Sequence, residues 1–371
     1  MNLIQRMYIL DFLKTLMVLA FGIAVIFSII GLVDKLDEFL PFNPPMKLLV
    51  SYALNTVPKY MLYLMPMAIL LSSLFVFSQA IRRREIVVIK AAGGKLKSLL
   101  RPFVALGILL MFISFLLGEV IVPDTAKRLR AISNQITKKE RKVTFREGTL
   151  YIRGKDGSIA RIGLYLPDRD AYQAITIFRM GDKGLQTRID ADSAVWEQET
   201  WKLKNARTLS METGKVTVVS ELEYPGIESP KAFQSDVWKV EEMSVMELLR
   251  FKNRLQEAGF RNTKLSTDIS SRIAYPIINL FMLLLGISLS VGGDQRTLQK
   301  VYALRIFQNT ETHAGVVSAG IGLMISLAYW LGYSFFLSLG YAGSIQPVIA
   351  PWIVPIAFSG ISAYLFYHIP E

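Results

Sequence analysis

The chain has 371 residues, 52% of them hydrophobic, and a formal net charge of +12 at pH 7. Because the apolar residues are gathered in long blocks, they indicate a membrane protein, and anionic lipid or an anionic amphiphile matches the charge better than nucleic acid. The chain has no Cys and two His residues, His313 and His368, which argues against the usual zinc, iron–sulfur and Cys/His catalytic sites, so no cofactor is expected in this chain.

Six stretches are long and apolar enough to cross a bilayer, since a hydrocarbon core of about 30 Å needs around 20 apolar residues in a helix. The first is predicted to be a retained helix, because no small-residue cleavage site follows it. The uncharged runs are Thr15 to Val33, Tyr60 to Ile81, Pro102 to Gly118, Ile273 to Gly293, and Thr312 to Pro370, the last being two spans that turn near Gly340 to Pro347.

A short amphipathic helix is predicted at about 81–93, after the second span. One interpretation is an interfacial helix whose arginines bind lipid phosphates. The other is a coupling helix, which docks into a groove of a separate motor protein. Glu85 favours the second, because an acid weakens lipid attraction and can pair with a cation of a partner. The segment contains Arg82, Arg83, Arg84 and Glu85, has Ile81, Val88, Ile89 and Ala92 on one side, and can end at Gly93.

The chain lacks the sequence motifs of an ATPase or a hydrolase. Gly93-Gly94-Lys95 only superficially resembles a phosphate-binding loop, because Ile89 stands at the first Gly position and Leu96 follows the lysine. The sequence contains no Gly-x-Ser-x-Gly elbow and no His-Glu-x-x-His helix. We therefore expect this chain not to be an enzyme.

Charged residues gather at the outer ends of the first and third spans. Most flanking charges act only as anchors. The alternative is that basic side chains bind the phosphates of an amphiphile that leaves the bilayer. The candidate lipid-binding residues are Lys35, Lys127, Arg128 and Arg130.

An inserted β domain is predicted between the third and fourth spans, because the apolar period shortens to two from about Val143 to Val240. Trp201 and Leu203, for example, alternate with lysines. The pattern predicts an antiparallel sandwich or partly open barrel. Such a domain either caps the helices, or shelters acyl chains and pairs edge to edge with another sheet. Turns are expected at Gly154-Lys155-Asp156-Gly157, Gly181-Asp182-Lys183-Gly184 and Glu212-Thr213-Gly214-Lys215.

An amphipathic helix at about 244–258 follows the strands. Ser244 and Glu247 form a capping box, and Gly259 supplies the stop. Its apolar stripe is predicted to be Val245, Leu248, Leu249 and Leu255. The domains are therefore 1–122 for the first three spans, 123–262 for the insertion, and 263–371 for the last three spans.

Basic residues in short loops predict the orientation. The clusters after the second and third spans cancel, but Arg296, Lys300 and Arg305 lie between spans four and five, and the last hairpin has no basic residue. Both termini are therefore expected in the cytoplasm and the insertion outside.

These features together resemble the lipopolysaccharide-export permeases, the LptF/LptG pair, over nearly the whole chain. Gly31 to Lys35 with Asp37 are more similar to the LptG side, although Asp34 stands where that side commonly has a basic residue. The loop from Asp294 to His313 is longer than usual in the family. The likeness rests on the three-plus-three spans, on Ser78-Gln79-Ala80 to Gly93 with Glu85, on Gly118-Glu119 with Pro123, and on Arg272 to Pro276.

The resemblance implies a polytopic permease subunit of an ABC transporter that extracts lipopolysaccharide from the outer leaflet of a Gram-negative inner membrane. It also implies a heterodimer with a second permease, a dimeric cytoplasmic ATPase that uses ATP, a periplasmic jellyroll in this chain, and a single-span bridge protein with a β-jellyroll. By likeness, spans one and five line the lipid cavity. The implied ATPase contacts are Arg82, Arg83, Arg84, Glu85 and Val88.

Two other functions stay open on the residues alone. A scaffold or sensor would use the external domain to bind a partner and the spans as an anchor. A lipid-modifying enzyme would need catalytic side chains that this sequence does not provide.

Overall fold

The computed structural model of the chain divides into two compact units. The first consists of Met1–Ile136 and Thr263–Glu371, and the second consists of Thr137–Asn262, which separates those two stretches in the sequence. The loop from Asp294 to His313, with its three basic residues, and Gly259 lie outside the described residues. The structure describes residues 3–137, 143–146, 149–154, 156–166, 171–181, 184–197, 200–211, 213–227, 240–257, 262–291 and 314–369.

The first unit contains the membrane helices. Within the described ranges, six helical stretches are long and apolar enough to cross a membrane, which confirms the predicted number. The helices extend past the uncharged runs because polar residues continue them beyond the hydrocarbon core. They are α1 (Leu3–Phe39), α2 (Met46–Arg82), α3 (Glu85–Ala91), α4 (Leu96–Leu116), α5 (Val122–Ile136), α7 (Thr263–Val291), α8 (Ala314–Tyr341) and α9 (Ile353–Tyr367), with short 3₁₀ turns at Leu40–Phe42 and Ala350–Trp352.

The third span continues without a break into α5. A π-helical segment, Leu117–Ile121, joins α4 to α5, so the helical path runs from Leu96 to Ile136. The predicted domain boundary at 123 is therefore displaced to Thr137. The difference arises because the charged residues of α5 look like the start of a soluble domain, whereas the backbone continues the helix of the third span.

The predicted turn between the last two spans is confirmed. The N–H of Ser344 donates to the carbonyl of Leu339 at 3.0 Å, and Gly343 has a positive φ of 73°. This left-handed glycine after the last helical turn satisfies carbonyls that α8 leaves free at its end. The turn at Gly343 reverses the direction of the chain between α8 and α9.

Helices α2 and α7 form the centre of the membrane unit. They are the most buried of the spans. They meet at Gly286 of α7, which packs against α2. A Cβ at Gly286 would lie 3.0 Å from the carbonyl oxygen of Leu70. Small residues at such crossings allow two backbones to approach in a membrane, where the hydrophobic effect between helices is weak.

The second unit contains the predicted inserted antiparallel β domain. Its seven described strands follow chain order in one sheet, each paired with the next. Trp201 and Leu203 are buried, as the alternation predicts, and Tyr172 packs against Trp201. The strands are β1 (Val143–Arg146), β2 (Thr149–Arg153), β3 (Ile159–Leu166), β4 (Ala171–Gly181), β5 (Gly184–Glu197), β6 (Thr200–Ser210) and β7 (Val216–Tyr224).

Turn residues fall where the sequence predicts them. Gly157, Gly184 and Gly214 have positive φ, and each lies in one of the three predicted turn clusters. Asp156 fixes the first turn to the end of β7, because its carboxylate accepts hydrogen bonds from Ser158 and from the hydroxyl of Tyr224 at 2.7 Å. Partial burial raises the pKa of Asp156, but these hydrogen bonds outweigh it and lower the pKa below its usual value.

Helix α6 (Val245–Glu257) confirms the capping box. The N–H of Glu247 donates to the Ser244 hydroxyl, and the Glu247 carboxylate accepts from the N–H of Ser244 at 2.9 Å. The predicted stripe is wrong in one member: Leu249 is exposed, and Phe251 is buried in its place. At 100° per residue, Phe251 falls on the face of the helix that Leu248 and Leu255 share, whereas Leu249 falls to one side of it.

Candidate functional site

The candidate coupling helix is α3, and it begins later than predicted. Ile81 and Arg82 belong to α2, whose last turn closes where the N–H of Arg83 donates to the carbonyl of Gln79 at 3.0 Å. Arg84 then takes a left-handed conformation with φ of 56°, which breaks the helix. The predicted range of 81–93 therefore contains the end of one helix, a two-residue turn, and the seven-residue helix Glu85–Ala91.

The end of α3 is the one predicted. Gly93 has φ of 76°, and the N–H of Gly94 donates to the carbonyl of Ile89 at 2.9 Å. These bonds form the glycine-dependent stop that ends many helices. The short helix is thus bounded on both sides by left-handed residues, Arg84 and Gly93.

One side of α3 packs inward and the other is open. Ile86 is buried, and Ile89 packs against the same cluster. Val87 and Val88 are 60% and 64% exposed. The prediction that Val88 and Ile89 share one side is therefore wrong, because neighbouring residues of a helix point about 100° apart. Val88 lies on the open side of α3, where an apolar side chain is available to a partner.

The three candidate arginines are all exposed around the turn before α3. Nη1 of Arg83 lies 3.8 Å from Oε1 of Glu85, with the Arg83 side chain 64% exposed. A pair this long and this exposed contributes little to stability. Arg82 and Arg84 are exposed as well, so this end of the unit carries accessible positive charge.

Glu85 is held by a residue that the sequence analysis missed. The hydroxyl of Tyr8, on α1, donates a 2.6 Å hydrogen bond to Oε2 of Glu85. Tyr8 is buried, and its ring stacks on Phe77 of α2 with the centroids 5.9 Å apart. The carboxylate of Glu85 therefore already has a partner within the chain, and its pairing with a cation of a partner protein stays a prediction.

The candidate lipid-binding residues lie on two helices. Lys35 is near the end of α1, and its Nζ lies 2.8 Å from the carboxylate of Glu38. Arg128 on α5 pairs with Asp124 at 2.8 Å, one helical turn earlier, while Lys127 is exposed and Arg130 is half-buried. Lys35 and Arg128 thus each have an acidic partner in their own helix.

Helix α2 connects the coupling region with both implied cavity walls. It packs against α1, α7 and α8, and at its end it leads through the turn into α3. A Cβ at Gly31 of α1 would lie 2.5 Å from the Tyr60 hydroxyl, and one at Gly322 of α8 would lie 2.7 Å from Leu74. Helices α1 and α8 therefore each approach α2 closely at a glycine.

Comparison with known proteins identifies the family. No curated protein matches the sequence of the chain. A family model described as lipopolysaccharide export system permease LptF/LptG matches residues 6–368, which include the six membrane helices, α3 and the inserted sheet. In the described ranges no group of three or more His, Asp or Glu residues is placed to hold a metal ion. The chain belongs to the LptF/LptG family of lipopolysaccharide export system permeases.

Proposed function

We propose that this chain is the LptG-side permease of an ABC transporter that extracts lipopolysaccharide from the outer leaflet of a Gram-negative inner membrane. A separate dimeric cytoplasmic ATPase drives it through α3, and a second permease of the family completes the cavity. Both termini and α3 are cytoplasmic, and the β unit is periplasmic. The observation that carries the proposal is that only a two-residue turn joins α3 to α2, the helix on which α1 and α8 both pack.

The transport step must keep acyl chains out of water. Exposure costs about 0.8 kcal/mol per CH₂, so a chain of roughly a dozen carbons would cost ~10 kcal/mol. Helices α1 and α8 carry wide exposed apolar faces, including Val18, Phe21, Met324 and Phe335. Such faces need lipid or a second permease beside them, and together two permeases can enclose the acyl chains.

The β unit can pass the lipid from the membrane helices to a periplasmic protein. Strand β7 is last in the described sheet order, and its Val216 and Val218 are 61% and 67% exposed. An edge strand with free backbone groups can be extended by a strand of another protein. We propose that a single-span bridge protein with a β-jellyroll adds to this edge and receives lipopolysaccharide from it.

The central test replaces Glu85 with Ala or Lys. We expect the purified complex to retain its fold, while lipopolysaccharide release per ATP hydrolysed falls at least tenfold, because the carboxylate at the start of α3 no longer joins the ATPase to the spans. Release is measured by transfer of radiolabelled lipopolysaccharide from nanodiscs, and hydrolysis by phosphate production. Asp192→Ala is the control, since it removes an exposed carboxylate that lies on β5 and belongs to no candidate site.

Affinity purification of the tagged chain separates the proposal from a scaffold or sensor. A transporter half brings down an ATPase and a second permease of the family, whereas a scaffold or sensor brings down neither. Normal export by the Glu85→Ala variant would contradict the coupling role of α3. A photocrosslinking residue at Val88 that attaches to a protein other than the ATPase would contradict it as well.

A further inference from the structure

Tyr8 lies deep in the membrane unit although it contacts the start of an exposed helix. It is 77 positions before Glu85 in the chain, and its side chain is 3% exposed. Its ring stacks on Phe77, which in turn packs edge to face on Phe103 at 5.1 Å. A ring that is packed in this way has few alternative side-chain conformations. Its hydroxyl is therefore fixed at the point where Glu85 accepts the hydrogen bond.

Helix α3 depends on such contacts. A helix of seven residues is not stable by itself, and left-handed residues at both of its ends separate it from α2 and α4. Ile86 and Ile89 attach it through apolar packing. The bond from Tyr8 is polar and directional, and it comes from α1 rather than from the helices that precede and follow α3 in the chain.

We propose that Tyr8 is the positioning residue of the coupling step, because its hydroxyl fixes Glu85 and transmits displacement of α3 directly to α1. This inference rests on the proposed function. Oε2 of Glu85 accepts from Tyr8, while Oε1 lies beside exposed Arg83 on a side chain that is one-third exposed. A carboxylate has about four acceptor positions, so Glu85 can accept from Tyr8 and from a cation of the ATPase at once.

The variant Tyr8→Phe tests the proposal, because it keeps the ring and its stacking and removes only the hydroxyl. We expect lipopolysaccharide release per ATP hydrolysed to fall at least threefold in the reconstituted complex. A second readout does not need the partners. The chain has no Cys, so a spin label on Val87→Cys reports the mobility of α3 in the full chain in nanodiscs, and we expect Tyr8→Phe to increase it.

Tyr275→Phe is the matched control. Tyr275 is buried on α7, and its hydroxyl donates to the carbonyl of Tyr63 on α2, so the variant also removes a hydrogen bond between two helices, but one that involves neither α1 nor α3. We expect the control to match the wild type in label mobility and in release per ATP. A merely structural effect of losing a buried hydroxyl would appear in both variants.

Two results would overturn the inference. Unchanged label mobility in Tyr8→Phe would show that Tyr8 does not hold α3. Increased mobility with wild-type release per ATP would show that the bond holds α3 but transmits nothing. A wild-type complex that hydrolyses ATP without releasing lipopolysaccharide would instead refute the proposed function, and the label would still report the contact between Tyr8 and Glu85.

Discussion

The two ends of α1 are attached to the membrane unit by different chemistry. At the N-terminal end, which is the inner end in the proposed orientation, large side chains interlock: Tyr8 stacks on Phe77, and Phe12 packs edge to face on Phe103 with the ring centroids 6.1 Å apart. These rings reach α2 and α4, and Gln5 adds a hydrogen bond to the carbonyl of Ser98 at 3.0 Å. The inner end is therefore fixed to three helices, α2, α3 and α4.

At the C-terminal end, which is the outer end in the proposed orientation, small residues face α2. Ala20, Ala24 and Ser28 are buried at intervals of four, and the Ser28 hydroxyl donates to the carbonyl of Ala53. Gly31 continues this close approach beside Tyr60. Small residues let two helix backbones lie near each other, but they interlock less than aromatic rings do. The outer end is thus attached to α2 through a smooth contact.

The difference shows how one helix can serve two roles. An interlocked inner end follows α3 when α3 moves, because rings packed at native density cannot slide past one another without opening space. A smooth outer end can change its position on α2 at lower cost. In the proposed transporter, the inner end receives the movement and the outer end alters the cavity.

The largest effect is expected at the inner end from Phe103→Ala. Phe103 is fully buried between Phe12 and Phe77, so the substitution leaves a cavity and removes two ring contacts. We expect a loss of about 3 kcal/mol in the free energy of unfolding, near the lower limit for such changes, because unfolding in a bilayer exposes the ring to lipid rather than to water. Titration with a denaturing detergent measures it.

Phe112→Ala is the control for this prediction. It makes the same change on the same helix, α4, at a side chain that is 57% exposed, and should alter the free energy of unfolding by less than about 0.5 kcal/mol. Equal losses in the two variants would mean that the rings at the inner end do not interlock in the way that the comparison requires.

The outer end is tested by Gly31→Val. A Cβ at Gly31 would lie 2.5 Å from the Tyr60 hydroxyl and 3.3 Å from its ring, so α1 must move away from α2 or Tyr60 must turn. We expect a loss of about 2 kcal/mol in the free energy of unfolding. Gly22→Val on the same helix meets nothing within 4 Å and should have little effect. Similar losses at the two glycines would reflect helix propensity and would remove the case for a close outer contact.

The sequence predicted the features that depend on neighbouring residues. Apolar runs predicted the spans, alternation predicted the strand that contains Trp201 and Leu203, and the pair Ser244 and Glu247 predicted the start of α6. Each of these signals lies within one element, where helix or strand geometry decides which residues are neighbours.

The contacts between distant elements could not be read in this way. Tyr8 and Glu85 are 77 positions apart, and no period links a tyrosine in one helix with an acid in another. The left-handed Arg84 was equally hidden, because arginine is an ordinary helix residue and only the tertiary contacts of Glu85 and Ile86 favour a break before α3. Family likeness pointed to Glu85, but not to what holds it.

The smallest effect, from Ser28→Ala, gives the sharpest comparison. The variant removes the hydrogen bond to the carbonyl of Ala53 and leaves the small-residue contact intact. Polar contacts between membrane helices contribute about 0.6 kcal/mol on average, because the separated helices find other partners for the same groups, so we expect a loss of that size. Ser359→Ala is the control, since the Ser359 hydroxyl bonds within α9 to the carbonyl of Pro355 and does not join two helices.

If Ser28→Ala destabilised the chain as much as Phe103→Ala, one polar bond would fix the outer end as firmly as the rings fix the inner end. The outer end could then not move on α2 at lower cost, and the cavity would have to change by movement of another helix.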